Sequence, residues 1–243
     1  MFKNAFYFLS MLVLFASAPA HGKTKQFPSA LDSLHFSCYW QPEFADSLPC
    51  RLTFLHDTLE ITTRGGFTLW RKERLSGNIE ISYSACVMDE GKPGDRLSDL
   101  NCFWMASDPL FPKDVLKRSP WRKGVFEKYY SLRMYYLGYG GNRNSTTRFR
   151  KYDGDWEAFS QKNIRPNILT EYTDSAHLLK PNRWYNIRIV CRGNRIQYFM
   201  DNELLVDYED NQALKSGWFG FRTTWARVRI TEFRVEKIEG SRN

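Results

Sequence analysis

The sequence predicts an all-β protein, a sandwich of two antiparallel sheets, and three observations carry that prediction. From Ile79 onward apolar and polar residues alternate with the period of two that a half-buried strand requires. The alternating runs are short and are broken by pairs such as Gly193-Asn194 and Asp201-Asn202, residue types that accept tight-turn backbone. Helical periodicity is scarce, with a turn or two expected only over residues 109–117 and 175–179.

Taken in chain order, the N-terminus comes first. Lys3, an apolar run over residues 5–15, and the small residues Ala16, Ser17, Ala18 and Ala20 have the layout of a secretory signal ending by residue 22. The run is too short to serve as a membrane anchor. The first cysteine is Cys38, far from this boundary, which disfavours a lipoprotein. The expectation is a cleaved leader at 1–22 and a single domain at 23–243, secreted or periplasmic, with no membrane partner. The remaining ~220 residues suit one sandwich, and no linker, low-complexity tract or repeat divides them.

Residues 23–78 are the less regular part and contain His35 and His56. Five cysteines leave at least one unpaired; Cys38 and Cys50 bracket a short Pro-containing segment and are the pair an oxidising compartment could bridge. Cys86, Cys102 and Cys191 lie in apolar strand contexts and are expected to be buried as small hydrophobes. Beyond Ile79, Ile81 and Tyr83, the run Tyr185, Ile187, Ile189 and Cys191 reads as a strand. Residues 196–200 read as its return and 204–208 as a third strand. Residues 218–221 and 228–230, with Phe233 and Val235, continue the sheet.

The segment 135–153, YYLGYGGNRNSTTRFRKYD, is the richest in chemistry. Read as strand, turn, strand, it sets Tyr135, Leu137 and Tyr139 on one face before Gly140-Gly141, and Arg148, Arg150 and Tyr152 on one face after it. Guanidinium groups beside phenols and the amides of Asn142 and Asn144 suit a ligand carrying carboxylates or sulfates on hydroxyl-rich rings. The same alternation on a plain solvated face would look similar; the density of polar groups around one turn favours a site. A net charge of +8 agrees with an anionic partner. Export and the lack of a lysine-rich helix or tail argue against nucleic acid, leaving an acidic polysaccharide or oligosaccharide as the expected partner of a monomer. With 16% aromatic residues and eight tryptophans, some rings are expected to be exposed as sugar-stacking platforms, with Trp104, Trp121 and Trp225 the candidates.

The C-terminal third, from NRWYNIRIVCRGNRIQYFMDNELLVDYED to SGWFGFRTTWARVRITEFRVEKI, resembles the closing half of the concanavalin A-like lectin/glucanase jelly roll. The resemblance lies in Asp201-Asn202-Glu203-Leu204-Leu205 and in the Gly217–Phe221 strand, and it implies a closing strand that pairs beside the N-terminus. With residues 96–104 and 135–153, the chain also resembles an uncharacterised family of exported proteins from bacterial polysaccharide-utilisation clusters, chiefly of Bacteroidetes. That implies a glycan context and no established catalytic residues.

The retaining glucanases of that superfamily carry Glu-x-Asp-x-x-Glu, and this chain lacks it, so hydrolysis would need an atypical carboxylate pair. Lyases use other parts: a donor that neutralises the uronate carboxylate, a base for the C5 proton and an acid for the leaving oxygen. Tyr139, Arg148, Arg150, Tyr152 and His177 are the catalytic candidates on this reading. Asn142, Asn144, Trp104, Asp99, Asn101, Trp225 and Arg222 are the substrate-binding ones. A lone loop histidine such as His177 is more often structural. Asp99 and Asn101 could instead stabilise a turn or hold a structural calcium; no cofactor is otherwise expected. The expected function is an exported polysaccharide lyase acting by β-elimination, with a non-catalytic carbohydrate-binding module as the main alternative. No appended second domain is visible, which tilts the reading toward an enzyme.

Overall fold

The computed structural model describes residues 30–45 and 47–239. The expected leader at 1–22 lies outside them. The strands are β1 (Trp40–Phe44), β2 (Cys50–Leu55), β3 (Thr58–Arg71), β4 (Leu75–Ser76), β5 (Ile79–Met88), β6 (Leu100–Ser107), β7 (Arg133–Gly140), β8 (Thr146–Asp153), β9 (Ile168–Tyr172), β10 (Trp184–Arg192), β11 (Arg195–Met200), β12 (Glu203–Glu209) and β13 (Ser216–Lys237). They form a two-layered antiparallel jelly roll. The first layer runs β9-β8-β7-β6-β13-β3-β1 and the second β12-β11-β10-β5-β13-β3-β2.

Two strands belong to both layers. β13 pairs with β6 through Phe221↔Cys102 and, further on, with β5 through Val228↔Val87. β3 follows it along the other side, Trp70 opposite Gly220 and Leu59 opposite Ile230. The expected pairing of the closing strand near the N-terminus is therefore made by β3. A register shift between Thr224 and Ala226 is where β13 crosses from one layer to the next. Inward residues of both layers, among them Leu59, Ile81, Trp104, Tyr135, Ile189, Phe221 and Val228, share one core. Trp40 is wedged there against Phe221 and Phe233, with ring centroids 5.4 and 5.0 Å away.

The region before Ile79 is more regular than its sequence suggests. β3 alternates Leu59, Ile61 and Thr63 inward, but from Phe67 to Arg71 all five residues are buried, so the alternation vanishes. The cause is a strap, residues 108–131, lying across the outer face of the first layer. It covers Trp70, Phe103, Met134 and Tyr152 with Val115, Tyr129 and Tyr130, making a second small core. Gly66 and Gly124 meet backbone to backbone: a Cβ on Gly66 would stand 1.9 Å from the Gly124 carbonyl oxygen. The strap holds Val115–Arg118, Ser119–Arg122 and Phe126–Ser131 as single turns, and Trp156–Lys162 adds a short helix unforeseen in the sequence.

The Cys38–Cys50 bridge does not form; all five cysteines are free thiols. Cys38 lies in the helical turn Phe36–Tyr39 just before Trp40, which is opposite Arg71, whereas Cys50 is opposite Thr63, a distant part of β3. At ~3.3 Å per residue that separation is on the order of 25 Å, whereas a disulfide needs Cα atoms about 4.4–6.8 Å apart.

The turn before β6 is tied to β13 by charge. Arg227 Nε donates to Asp95 at 2.7 Å and Nη2 to Glu90 at 2.9 Å. Hydrogen bonding to Arg227 holds the Asp95 carboxyl down at about 2, and Lys92 with Arg227 does the same for Glu90, also at about 2. Carboxyls lowered on folding add stability above their unfolded values near ~4, and that contribution is lost as pH falls toward 2. The melting temperature is expected to drop through this window, and in Arg227→Ala to depend less steeply on pH there. An unchanged slope in differential scanning fluorimetry would overturn the assignment.

Candidate functional site

The register of the hairpin decides which side chains meet. Gly138 lies opposite Arg148, Tyr136 opposite Arg150, and Met134 opposite Tyr152. Cross-strand partners share a face. Arg148, Arg150 and Tyr152 therefore stand with Tyr136 on the outer face, while Tyr135, Leu137 and Tyr139 point into the core. The sheet separates Tyr139 from the arginines.

On that outer face, beside the strap, is a cavity of about 330 Å³. β7 and β8 supply Tyr136, Gly138, Arg148 and Arg150 to its floor, the segment leading into β6 brings Arg96 and Asp99, and β6 itself brings Asn101. Phe126 of the strap forms one wall and the 141–144 turn the opposite one. In that turn Asn142, Arg143 and Asn144 all have left-handed backbone, with φ of 52, 59 and 58°. For an arginine this conformation is costly, about 1–2 kcal/mol, and it lifts Arg143 to the rim of the cavity. Asn142 donates to Thr146 Oγ1 at 3.2 Å and remains exposed.

The polar groups are unequally engaged. Arg96 is bound to Asp99 at 2.8 Å and to the Thr224 carbonyl. Arg148 pairs with Glu171 at 2.5 Å. Arg150 donates only to the Pro166 carbonyl, and Arg143 has no acidic partner among the described residues. Asn101 is 4% exposed. Its amide donates to Asp99 Oδ1 at 3.3 Å, which fixes its orientation because a carboxylate can only accept, and its Oδ1 is buried with no partner among the described residues. Tyr136 lies along the strand over Gly138, where a Cβ would come within 2.4 Å of its hydroxyl oxygen. That hydroxyl makes no hydrogen bond among the described residues. Burial pushes the Tyr136 phenol up, against the opposing pull of Arg222 and Arg150, so the group is a neutral hydroxyl at neutral pH.

Several expected site residues lie elsewhere. Tyr139 is 3% exposed and packs on Tyr185, ring centroids 5.7 Å apart; burial raises its phenol far from any use as a base. Tyr152 has the right face but is sealed under Tyr130 and Tyr136 at 5.4 and 5.8 Å. His177 stacks on Tyr172 at 4.0 Å, holds Asp174 at 2.8 Å and faces Glu203, away from the cavity. Asn144 clamps Leu179 through two backbone hydrogen bonds, at 2.8 and 2.9 Å. Trp104 is fully buried between Tyr135 and Phe149. Trp121 is hemmed in by Arg118 at 4.7 Å and Lys128 at 5.1 Å. Arg222 is 3% exposed, donates to the Gly124 carbonyl at 2.7 Å and lies against the rings of Phe126 and Tyr129, so it anchors the strap. Trp225 is exposed at the edge of the cavity.

The donor set does not suit calcium. Asp99 is the one carboxylate lining the cavity, and both of its oxygens already accept from Arg96, Ser98 or Asn101. A hard cation there would face a guanidinium in place of further oxygen ligands. Arg96, Phe126 and Arg143, with Gly138, Gly141, Thr146 and Thr224, are cavity residues absent from the expected site.

Residues 61–233 match the profile of the family described as a domain of unknown function, DUF6250. The chain belongs to this family. No curated protein matches the sequence. Among solved structures, DUF6250 as seen here is similar to a protein of unknown function with a galectin-like fold from Bacillus subtilis. The TM-score is 0.65 at 15% identity, over 89% of this chain and 96% of the other. It is also similar to the carbohydrate binding module CBM66 from Bacillus subtilis, with TM-score 0.54, 14% identity and coverage of 82% and 95%. A prokaryotic β-1,3-1,4-glucanase (lichenase) from a mouse hindgut metagenome aligns at TM-score 0.51 and 7% identity, over 87% and 98%. At such identities the likeness is one of fold.

Proposed function

We propose that this DUF6250 protein binds an acidic saccharide in the outer-face cavity. The observation that carries the reading is that Arg143 and Arg150 line the cavity with no acidic partner among the described residues, in company with the Tyr136 hydroxyl. Guanidinium groups without acidic partners call for an anion, and an unengaged phenol hydroxyl calls for a hydroxyl-bearing ligand. A ring bearing both hydroxyls and a carboxylate or sulfate answers both needs. The similarity to a carbohydrate binding module and to a glucanase is consistent with this. With a leader read at residues 1–22, the encounter would take place outside the cytoplasm.

Binding ranks above β-elimination because no unengaged base lines the cavity, the Asp99 carboxylate being held by Arg96, Ser98 and Asn101. Tyr139, Tyr152 and His177 do not reach it, and Tyr136 holds its proton. Elimination stays the second reading on one observation: the Tyr136 hydroxyl, unbonded and next to Arg150, is positioned to protonate a leaving oxygen. A hydrolytic carboxylate pair has no support, Asp99 being alone there.

The test is calorimetric titration with oligosaccharides of alginate, polygalacturonate, hyaluronan and carrageenan, each beside a neutral or carboxyl-reduced counterpart. An acidic oligosaccharide should bind, weaken as salt rises, and lose affinity when its charge is removed. Equal binding of neutral and acidic forms would remove the charge from the proposal, and no binding at all would remove the cavity. Growth of the ultraviolet absorbance of a new C4–C5 double bond would place elimination first.

A further inference from the structure

The outer surface continues past the cavity and around a corner. Where β13 changes layer, Phe219 and Phe221 before the shift, and Ala226 and Val228 after it, all point inward. The outward side is therefore one surface on both flanks of the bend. One flank holds the cavity, with Thr224 and Arg96 in its wall. The other holds a larger cleft of about 810 Å³ between β2, β3 and the loop 92–94, where Glu60 is the one carboxylate against five cationic side chains.

Those cations are not equivalent. Arg227 and Arg229 are tied to Asp95, Glu90 and Glu60, and Lys92 to Glu90. Arg51 and Arg64 are exposed and have no ion pair among the described residues. Between cleft and cavity stands Trp225, 48% exposed, its backbone at φ 50° and the Arg96 guanidinium 5.7 Å from its ring. A tryptophan held in left-handed backbone at a bend, with its ring out in solvent, is an arrangement that packing does not require.

We propose that one anionic polysaccharide chain occupies both flanks. An acidic residue sits in the cavity, a following ring stacks on Trp225, and further acidic groups lie over Arg51 and Arg64. The proposal rests on the saccharide reading above and adds that the ligand is a polymer. The cleft contact, once the cavity is filled, is an intramolecular event and raises affinity for long chains alone.

The experiment uses the polymer that binds in the titrations above, as its trisaccharide and as chains of ten or more residues. Each is titrated into the parent protein, Trp225→Ala and the double variant Arg51→Gln/Arg64→Gln. The trisaccharide, which reaches Trp225 but not the cleft, should bind the parent and the double variant alike and lose affinity in Trp225→Ala. The long chain should bind the parent more tightly than the trisaccharide does. It should lose about fivefold to thirtyfold in the double variant, the size expected for two exposed charge contacts, and should also become less salt-sensitive there. Both arginines are exposed and carry no ion pair among the described residues, so melting temperatures should match the parent. If the long chain binds all three proteins equally while the trisaccharide still binds, the corner is unused and the cavity reading stands. If neither binds, both readings fall together.

Discussion

Arg150→Ala is expected to weaken binding of an acidic oligosaccharide by about tenfold to a hundredfold while leaving the fold intact. Arg150 is on the cavity floor, opposite Tyr136 in the ladder, and spends one guanidinium nitrogen on the Pro166 carbonyl. With no carboxylate pairing it among the described residues, its charge is available to a ligand. A charge-assisted hydrogen bond is worth about 1.5–3 kcal/mol, and each ~1.4 kcal/mol is tenfold in affinity. Arg150→Lys should recover only part of the loss, because an ammonium keeps the charge and gives up the planar fork that grips a carboxylate through two bonds. Calorimetry and a thermal melt on the same samples check both halves. Unaltered affinity in Arg150→Ala would move the anion site to Arg143 or Arg148.

Glu43→Gln is expected to destabilise the protein by about 3–5 kcal/mol. Glu43 on β1 is 3% exposed and gathers the strap onto the sheet. Its carboxylate accepts from Arg122 at 2.9 Å, from Trp70 Nε1 at 3.1 Å, and from Ser119 and the Tyr129 hydroxyl, both at 2.5 Å. Arg122 has no solvent exposure at all. Asp108, 3.6 Å away, is already held by Arg118 at 2.6 Å. Removing the Glu43 charge therefore leaves a buried guanidinium under-compensated, and breaking one partner of such a pair carries a cost of that order. For a chain of this size the melting temperature should fall by about 10 °C. Because Phe126 is part of the same strap, saccharide binding should fail in parallel, and proteolysis within 108–131 should accelerate. A melting temperature within about 2 °C of the parent would show that the strap is held by apolar packing alone.

The later strands were readable because each buries one face and exposes the other, and because Gly193-Asn194 and Asp201-Asn202 supply the turns that join β10, β11 and β12. β3 was hidden for the opposite reason. Where the strap covers it, both faces are buried and Thr68 and Arg71 lie among Phe67, Leu69 and Trp70, so no alternation shows, and Gly65-Gly66 interrupts it as a turn would. In the site, the chemistry of Arg148, Arg150, Asn142, Asp99 and Asn101 was visible in residue type. The faces within each strand were also assigned correctly. The register joining them was not, because it depends on how many residues the left-handed turn at 141–144 absorbs. That single parity put Tyr139 in place of Tyr136. Phe126 and Arg96 reach the cavity through long-range packing, for which a local pattern carries no signal.

The sharing of β13 between layers has a consequence for how the molecule comes into being. Its pairing partners β3, β5 and β6 are all synthesised long before it, and neither layer can close until residues 216–237 arrive. Until then β3 presents an open edge rich in threonine. Such a nascent chain remains unzipped until that shared strand emerges, exposed to wrong partners late and sealed in one cooperative step.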